Sequence, residues 1–119
     1  MKYEQPPAMS RQELETAFQS GNGMRIREAL ISASYTEEGN WLASWCFRLV
    51  DHPAWEARHG AVMILGHLAI AQHRALELSK CLEVAERLKA DPQEEVKASA
   101  GDAVDDVVQA MRLNNASRS

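Results

Sequence analysis

The stretch "HPAWEARHGAVMILGHLA", from His52 to Ala69, decides the fold of this chain. Small and aliphatic residues follow one another with almost no polar interruption, over a length that favours a helix. Because helical positions advance by about 100° per residue, the apolar residues cover two sides of that helix instead of one stripe. The question for the rest of the sequence is what the second apolar side faces.

The composition indicates one globular domain with an acidic charge balance. The chain has 119 residues, enough to bury a modest core, and we expect a single domain over 1–119 with flexible tails at 1–9 and 114–119. The net charge of -4 disfavours a nucleic-acid-binding surface, which is usually basic. The sequence shows no signal-peptide pattern and no apolar run near the roughly 18 residues of a membrane span. We therefore expect a cytoplasmic protein that contacts neither nucleic acid nor membrane.

Helical spacing predicts an all-α fold of six helices. The first follows the capping box "SRQE" at Ser10 and ends before Gly21. The next four cover about 24–35, 41–50, 53–72 and 76–89, and the sixth ends near residue 113. Asn40 is expected to cap the third helix and Pro53 to occupy the first position of the fourth. Cys46 and Cys81 fall on apolar stripes and are expected to be buried thiols.

The second half of the chain contains an internal repeat. A shift of 39 positions sets "HPAWEARHGAVMILGHLA" above "DPQEEVKASAGDAVDDVV", 91–108, and aligns Pro53 with Pro92. The same shift aligns the helices before these turns. The matched apolar positions are Ala61 with Ala100, Leu65 with Val104, Leu68 with Val107, Leu42 with Cys81, Cys46 with Ala85, and Leu49 with Leu88.

These motifs resemble the HEAT-repeat family. The resemblance lies in "DHPAWEARHGAVMILGHL" and "ADPQEEVKASAGDAV", and it covers about two-thirds of the chain. It implies three antiparallel helix pairs stacked as a right-handed α-α superhelix. Such pairs cannot bury their apolar faces alone and share one continuous core when stacked. The family mostly binds other macromolecules, so the resemblance implies binding.

In such a stack the second helix of each pair lines an inner surface, with the fourth helix in the middle. Projection turns Ala57, Ala61 and Leu65 to the core, and Trp55, His59, Val62, Met63, Gly66 and Ile70 to the inner surface. We predict an apolar centre with an acidic edge, as in protein-binding sites. The predicted partner-binding residues are Glu28, Tyr35, Trp55, His59, Met63, Asp102, Asp105 and Asp106. Two other interpretations remain open: an N-terminal segment or a loop covers the apolar centre, or "DAVDD" is only a solvated helix face.

No motif in the sequence indicates catalysis. Glu56 and His59 form an E-x-x-H pair without a mate on a second helix, and H-E-x-x-H is absent. The sequence has no P-loop, no G-x-G-x-x-G and no nucleophile elbow. Asp105 and Asp106 point about 100° apart on a helix, which is poor geometry for shared acid–base work. We expect no enzyme, no metal ion and no cofactor.

The run "REALISASYTEEGNW…CFRLVDHPAWEARHGAVMILGHLA", followed by "ADP" and "AGDAVDDV", is also similar to small bacterial HEAT-like proteins. Some of these are immunity proteins of polymorphic toxin systems, including contact-dependent growth inhibition. That resemblance implies a protein that binds a cognate toxin domain and blocks its active site. Because it rests on scaffold residues, it transfers no binding residue.

If the toxin is a nuclease with a basic cleft, the carboxylates of Asp102, Asp105 and Asp106 are expected to occupy that cleft in place of the substrate phosphates. Two alternatives use the same scaffold. One is an adaptor or scaffold that binds a protein without toxin inhibition. The other is a lyase-type HEAT-like enzyme that excises alkylated bases, which the acidic charge disfavours because such enzymes need a basic groove.

Overall fold

A computed structural model describes residues 8–117 and shows the all-α fold that the sequence predicts. Its six helices are α1 (Arg11–Phe18), α2 (Gly23–Ala33), α3 (Gly39–Leu49), α4 (Trp55–Ala71), α5 (Leu78–Leu88) and α6 (Glu94–Ser117). No strand occurs among the described residues. None of the helices in this part of the chain combines the length and the apolar character that crossing a membrane requires.

Some of the predicted helix starts agree with the structure and others do not. The capping box is present as predicted: Ser10 Oγ accepts from the Glu13 amide at 3.2 Å, and the Glu13 carboxylate accepts from the Ser10 amide at 3.0 Å. These hydrogen bonds lower the pKa of Glu13. Asn22 caps α2 in the same manner by accepting from the Arg25 amide. Two predicted starts are wrong, because α3 begins at Gly39 and contains Asn40, and α4 begins two residues after Pro53.

The end of the last helix also differs from the prediction. Helix α6 continues to Ser117, past the predicted end at Leu113. Asn114 explains part of this extension, because its side-chain amide donates to the His73 carbonyl at 3.0 Å and its carbonyl oxygen contacts the His73 ring. Residues 114–117, which the sequence assigned to a tail, are therefore helical. The predicted N-terminal tail lies outside the described residues except for Ala8 and Met9, and Met9 packs against the core.

The helices form two layers around one core. Helices α2, α4 and α6 lie side by side with α4 in the middle, and α1, α3 and α5 pack behind them. Helix α4 contacts α2, α3, α5 and α6, so it is enclosed on several sides. This placement is the reason why the 52–69 stretch is so apolar. The apolar helix positions matched by the internal repeat share their burial: each of these pairs is buried except Leu65 with the half-buried Val104.

Close approach between α4 and its neighbours depends on glycine. A Cβ built at Gly66 would lie 3.1 Å from the Cα and Cβ atoms of Ala103 and 3.1 Å from Asp106 Oδ2. A Cβ at Gly60 would lie 3.3 Å from the Arg27 Cα. These contacts bring the backbones of α2 and α6 against the two flanks of α4.

One buried ion pair connects the second and third helix pairs. Arg58, near the start of α4, donates to both carboxylate oxygens of Asp91 at 2.8 and 3.1 Å. Arg58 also donates to the carbonyl oxygens of His52 and Pro53, which follow α3. The same carboxylate accepts from the Gln93 amide before α6. Asp91 is only 9% exposed, and its charge is compensated by this network.

The glycine contact predicts a difference between two matched substitutions. Gly66 and Gly101 both lie inside helices, but a Cβ at Gly101 meets nothing within 4 Å. We expect Gly101→Ala to raise the free energy of unfolding by about 0.5–1 kcal/mol through helix propensity. Gly66→Ala has the same gain in helix propensity, but its new Cβ must displace α6. We therefore expect the free energy of unfolding of Gly66→Ala to be at least about 1 kcal/mol lower than that of Gly101→Ala. Urea denaturation of both variants measures this difference, and equal stabilities would show that the α4–α6 contact is loose.

The buried ion pair predicts a second effect on stability. Asp91→Asn leaves Arg58 without its counter-charge, and we expect the free energy of unfolding to fall by about 2–4 kcal/mol at pH 7. Asp51→Asn, which breaks the exposed pair of Asp51 with Arg87, should cost less than about 1 kcal/mol.

The same pair has a defined pH dependence. Hydrogen bonding from Arg58 lowers the pKa of Asp91 in the folded protein. Its stabilisation is therefore present above the ordinary carboxyl pKa of about 4 and is lost as the pH falls through the lower folded-state pKa. The stability difference between the native protein and Asp91→Asn should narrow in acid. A difference that stays constant to about pH 2 would contradict the assignment.

Candidate functional site

The candidate site is the inner face, the side of the α2–α4–α6 layer that points away from α1, α3 and α5. Helices α2 and α4 run in parallel, since their starts lie together: a Cβ at Gly23 would be 2.7 Å from Ala54 Cβ. Further along, Arg27 of α2 meets His59 of α4. The inner face comprises Met24, Arg27, Glu28, Ile31, Tyr35, Trp55, His59, Met63, His67, Ile70, Glu95, Asp102, Asp105 and Asp106.

The middle of this face is less open than the sequence projection expected. Val62 is fully buried, and Gly66 is buried against α6, so the assignment of these two residues to an open groove floor is wrong. The physical reason is that α4 is flanked so closely by α2 and α6 that its sides contact helices instead of solvent. Trp55, His59 and Met63 remain half-buried, and Ile70 is 39% exposed.

The cover on Trp55 comes from neighbouring side chains of the same face. The Arg27 guanidinium lies 5.4 Å from the centroid of the Trp55 ring, and the His59 ring packs edge-on at 6.2 Å. Among the described residues, neither a loop nor the segment before α1 provides these contacts. One alternative left open by the sequence is that a loop covers the apolar centre. The contacts of the Trp55 ring within residues 8–117 give no support to that alternative.

Three exposed apolar residues lie at one edge of the face, on α2 and in the turn that follows it. Tyr35 is 84% exposed, Met24 47% and Ile31 38%. The spacing of Met24, Glu28 and Ile31 places them on one side of α2, and Tyr35 follows two residues after the helix ends. Tyr35 and Glu28 are among the predicted binding residues, but Met24 is not, although its distance of seven residues from Ile31 places it on the same side of α2.

The opposite edge of the face, on α6, is acidic. Asp102 and Asp105 are exposed, while Asp106 is half-buried and leans toward Gly66 of α4. Burial raises the pKa of Asp106, nearby His67 lowers it, and the carboxylates of Asp102 and Asp105 raise it further. The three aspartates therefore form one charged edge, where an incoming cation would relieve the repulsion between carboxylates.

A polar row crosses the three helices near their first turns. Arg27 Nη1 lies 3.4 Å from His59 Nδ1, and Glu95 of α6 is near enough to the imidazole to affect its pKa. Burial lowers the pKa of His59, Arg27 lowers it further, and Glu95 opposes them. Glu95 in turn accepts from the Gln93 side chain, and that hydrogen bond lowers the pKa of Glu95. This row connects α2 with α6 across α4.

The described residues contain no evident metal site and no buried polar side-chain atom without a partner. Among residues 8–117, no group of three or more His, Cys, Asp or Glu side chains could hold a metal ion. Every buried side-chain nitrogen or oxygen in that range has a hydrogen-bond partner, so none is left to indicate a bound polar ligand. Burial raises the pKa of both cysteine thiols, that of Cys81 to about 11, which leaves them protonated and unreactive.

Comparison with known proteins gives no assignment. The chain matches no protein-family model, and no curated protein or solved structure is significantly similar to it.

The polar row predicts the protonation behaviour of His59. NMR titration of the imidazole should give a pKa below that of an exposed histidine, and Arg27→Gln should move it back toward the ordinary value. Because the folded-state pKa is lowered, His59 reduces stability as the pH falls through its unfolded pKa of about 6.5. His59→Gln should remove that loss. A His59 pKa that does not respond to Arg27→Gln would show that the two side chains do not interact in solution.

Proposed function

We propose that this chain is an immunity-type protein whose inner face binds a cognate toxin domain and blocks the active site of that domain. The observation that carries the proposal is the pairing of two edges on one layer: an exposed apolar edge formed by α2 and the turn after it, and an acidic edge on α6. The resemblance of the sequence to HEAT-like immunity proteins supplies the class of partner.

The apolar edge is suited to anchoring a protein partner. A tyrosine with 84% exposure keeps nearly all of its apolar area in water, and Ile31 and Met24 extend the same stripe. Tyrosine is enriched among residues that dominate binding energy, because it buries a large area with little loss of rotamer entropy. Burial of these side chains by a partner would supply affinity without any change in the fold.

The acidic edge specifies the charge of the partner. Asp102 and Asp105 are exposed and lie beside Asp106 on the same helix. Carboxylates grouped in this way accelerate association with a basic surface and disfavour acidic competitors. A nuclease toxin has a basic cleft for its phosphate substrate, and the acidic edge would occupy that cleft in place of the phosphates. The net charge of -4 on the whole chain also favours attraction of a basic partner.

The charge of the acidic edge can be tested by reversal. We expect Asp102→Lys with Asp105→Lys to weaken toxin binding at least about 30-fold at low salt and to reduce the salt dependence of the affinity. Both side chains are exposed, so the variant should fold. The matched control is Glu83→Lys with Glu86→Lys on α5, which makes the same change in net charge away from the inner face. If both variants lose affinity equally, net charge and not the acidic edge attracts the partner.

The apolar edge is tested separately. Tyr35→Ala with Ile31→Ala should raise the dissociation constant at least about tenfold while leaving the thermal midpoint nearly unchanged, because these side chains are exposed. Isothermal titration calorimetry and thermal denaturation provide the two readouts. Retention of full affinity would exclude this edge from the interface.

Neutralisation of toxicity separates the immunity proposal from the adaptor alternative. The partner is captured from native cells and its gene is expressed with and without this chain. An immunity protein restores growth of cells that produce the partner, and the Asp102→Lys, Asp105→Lys variant fails to do so. A partner that binds the inner face but is harmless, or that remains active in the complex, would instead identify an adaptor.

A further inference from the structure

The back layer of the molecule contains a second surface, the outer groove between α3 and α5. It has a volume of about 590 Å³, within the range of ligand-binding clefts. One side of each helix faces it. The lining residues are Asn40, Ala43, Ser44, Phe47 and Arg48 from α3, Asp51 from the turn after it, Ala75, Leu76 and Glu77 before α5, and Lys80, Val84 and Arg87 from α5.

The outer groove is a cationic site on an acidic protein. Three cationic and two anionic side chains line it, whereas the whole chain carries a net charge of -4. Arg87 is already paired with Asp51 at 2.8 Å, and this contact spans the groove from α5 to the α3–α4 turn. That leaves Arg48 and Lys80 as the cations that set the charge of the groove.

The cationic groups of Arg48 and Lys80 pack against aromatic rings. The Arg48 guanidinium lies 4.1 Å from the centroid of the Trp45 ring, and Lys80 Nζ lies 4.4 Å from that of Phe47, across the groove. Neither is within ion-pair distance of a carboxylate in the described part of the chain. Ring contacts hold the two cations in place without neutralising them, so their charge is available to an anion.

We propose that the outer groove binds a short acidic peptide segment of a partner protein. Carboxylates of the segment would pair with Arg48 and Lys80, and an aliphatic side chain would lie over Phe47 and Val84. Each of α3 and α5 has 11 residues and is therefore about 16 Å long, which an extended segment of about five residues spans. A nucleic acid fits less well, because its closely spaced phosphates would also meet Asp51 and Glu77.

The site is independent of the inner face. It lies on the opposite layer, and it attracts the opposite charge. A single molecule could thus hold a basic partner on one side and an acidic segment on the other. Loss of binding at one surface leaves the other unaffected, so the two proposals fail separately.

The probe is a pool of peptides of about six residues, randomised over Asp, Glu, Leu and Ala. A matched pool contains Asn and Gln in place of the acids. We expect the acidic pool to shift the NMR signals of the Trp45 indole and of the Ser44 and Lys80 amides, and the amide pool to leave them unchanged. Individual peptides selected from the acidic pool should bind with dissociation constants below about 1 mM.

Charge reversal then localises the site. Arg48→Glu with Lys80→Glu should weaken the selected peptide at least about tenfold, while Lys97→Glu on α6 leaves its affinity unchanged. Because a doubly reversed variant could misfold, Arg48→Gln with Lys80→Gln is the second variant, with the same expected direction. Circular dichroism of both variants verifies the fold.

Several outcomes would overturn the proposal. These are the absence of any shift with the acidic pool, equal binding of the amide pool, and equal affinity of the reversed variant. Stronger binding of a single-stranded oligonucleotide at the same signals would assign the groove to nucleic acid. A dimer in sedimentation that the reversed variant abolishes would assign the groove to a second copy of this chain.

Discussion

Helix α4 is enclosed by its neighbours, and this enclosure determines where the other helices can pack. A helix that contacts α2, α3, α5 and α6 must be apolar on several sides, and it must carry small residues where other backbones come close. Gly66 meets that requirement at Ala103, and Gly60 meets it at Arg27. Once α4 is placed in this way, α2 and α6 lie in fixed register on its two flanks. The opposite characters of those two helices, apolar and acidic, then appear as two edges of one face.

Much of this fold could be predicted from the sequence, because the relevant signals are local. The Ser10–Glu13 capping box and the six apolar periodicities each specify a helix without help from distant residues. The repeat correctly matched buried positions, such as Ala61 with Ala100, since equivalent residues occupy equivalent places in the core. The right-handed superhelical arrangement stays a prediction of the HEAT resemblance.

The structural features that the sequence did not predict depend on contacts between helices, which no local pattern encodes. Val62 lies off the main apolar stripe, and only the proximity of neighbouring helices shows that it is buried. Asn40 is a good cap by residue type, but α3 begins at Gly39, near Gln72, which follows α4. The ion pair of Arg58 with Asp91 joins residues far apart in the chain. The segments that carry Arg58 and Asp91 both appear in the repeat alignment, but the alignment does not show which charges meet.

For the candidate site, Asp102 and Asp105 are exposed, because the exposed side of an edge helix follows from its periodicity; Tyr35 is exposed too, but in the turn after α2. The projection placed the apolar surface in the centre, on α4, where Ile70 is exposed, whereas Met24, Ile31 and Tyr35 are exposed at the edge, on α2 and in the turn after it. The difference arises because the middle helix of a layer has neighbours on both flanks and the edge helix has one. An apolar edge and an acidic edge, connected by the Arg27–His59–Glu95 row, are the features on which the proposed binding of a basic protein rests.

The most direct test of this account is carboxyl-group footprinting of the protein, free and bound to its toxin, with mass spectrometry to measure modification at each Asp and Glu. The account predicts that Asp102 and Asp105 are modified readily in the free protein and become protected in the complex, while Glu83 and Glu86 on α5 react equally in both states. Unchanged modification of Asp102 and Asp105, with protection on α5 instead, would contradict the assignment of the inner face as the toxin-binding surface.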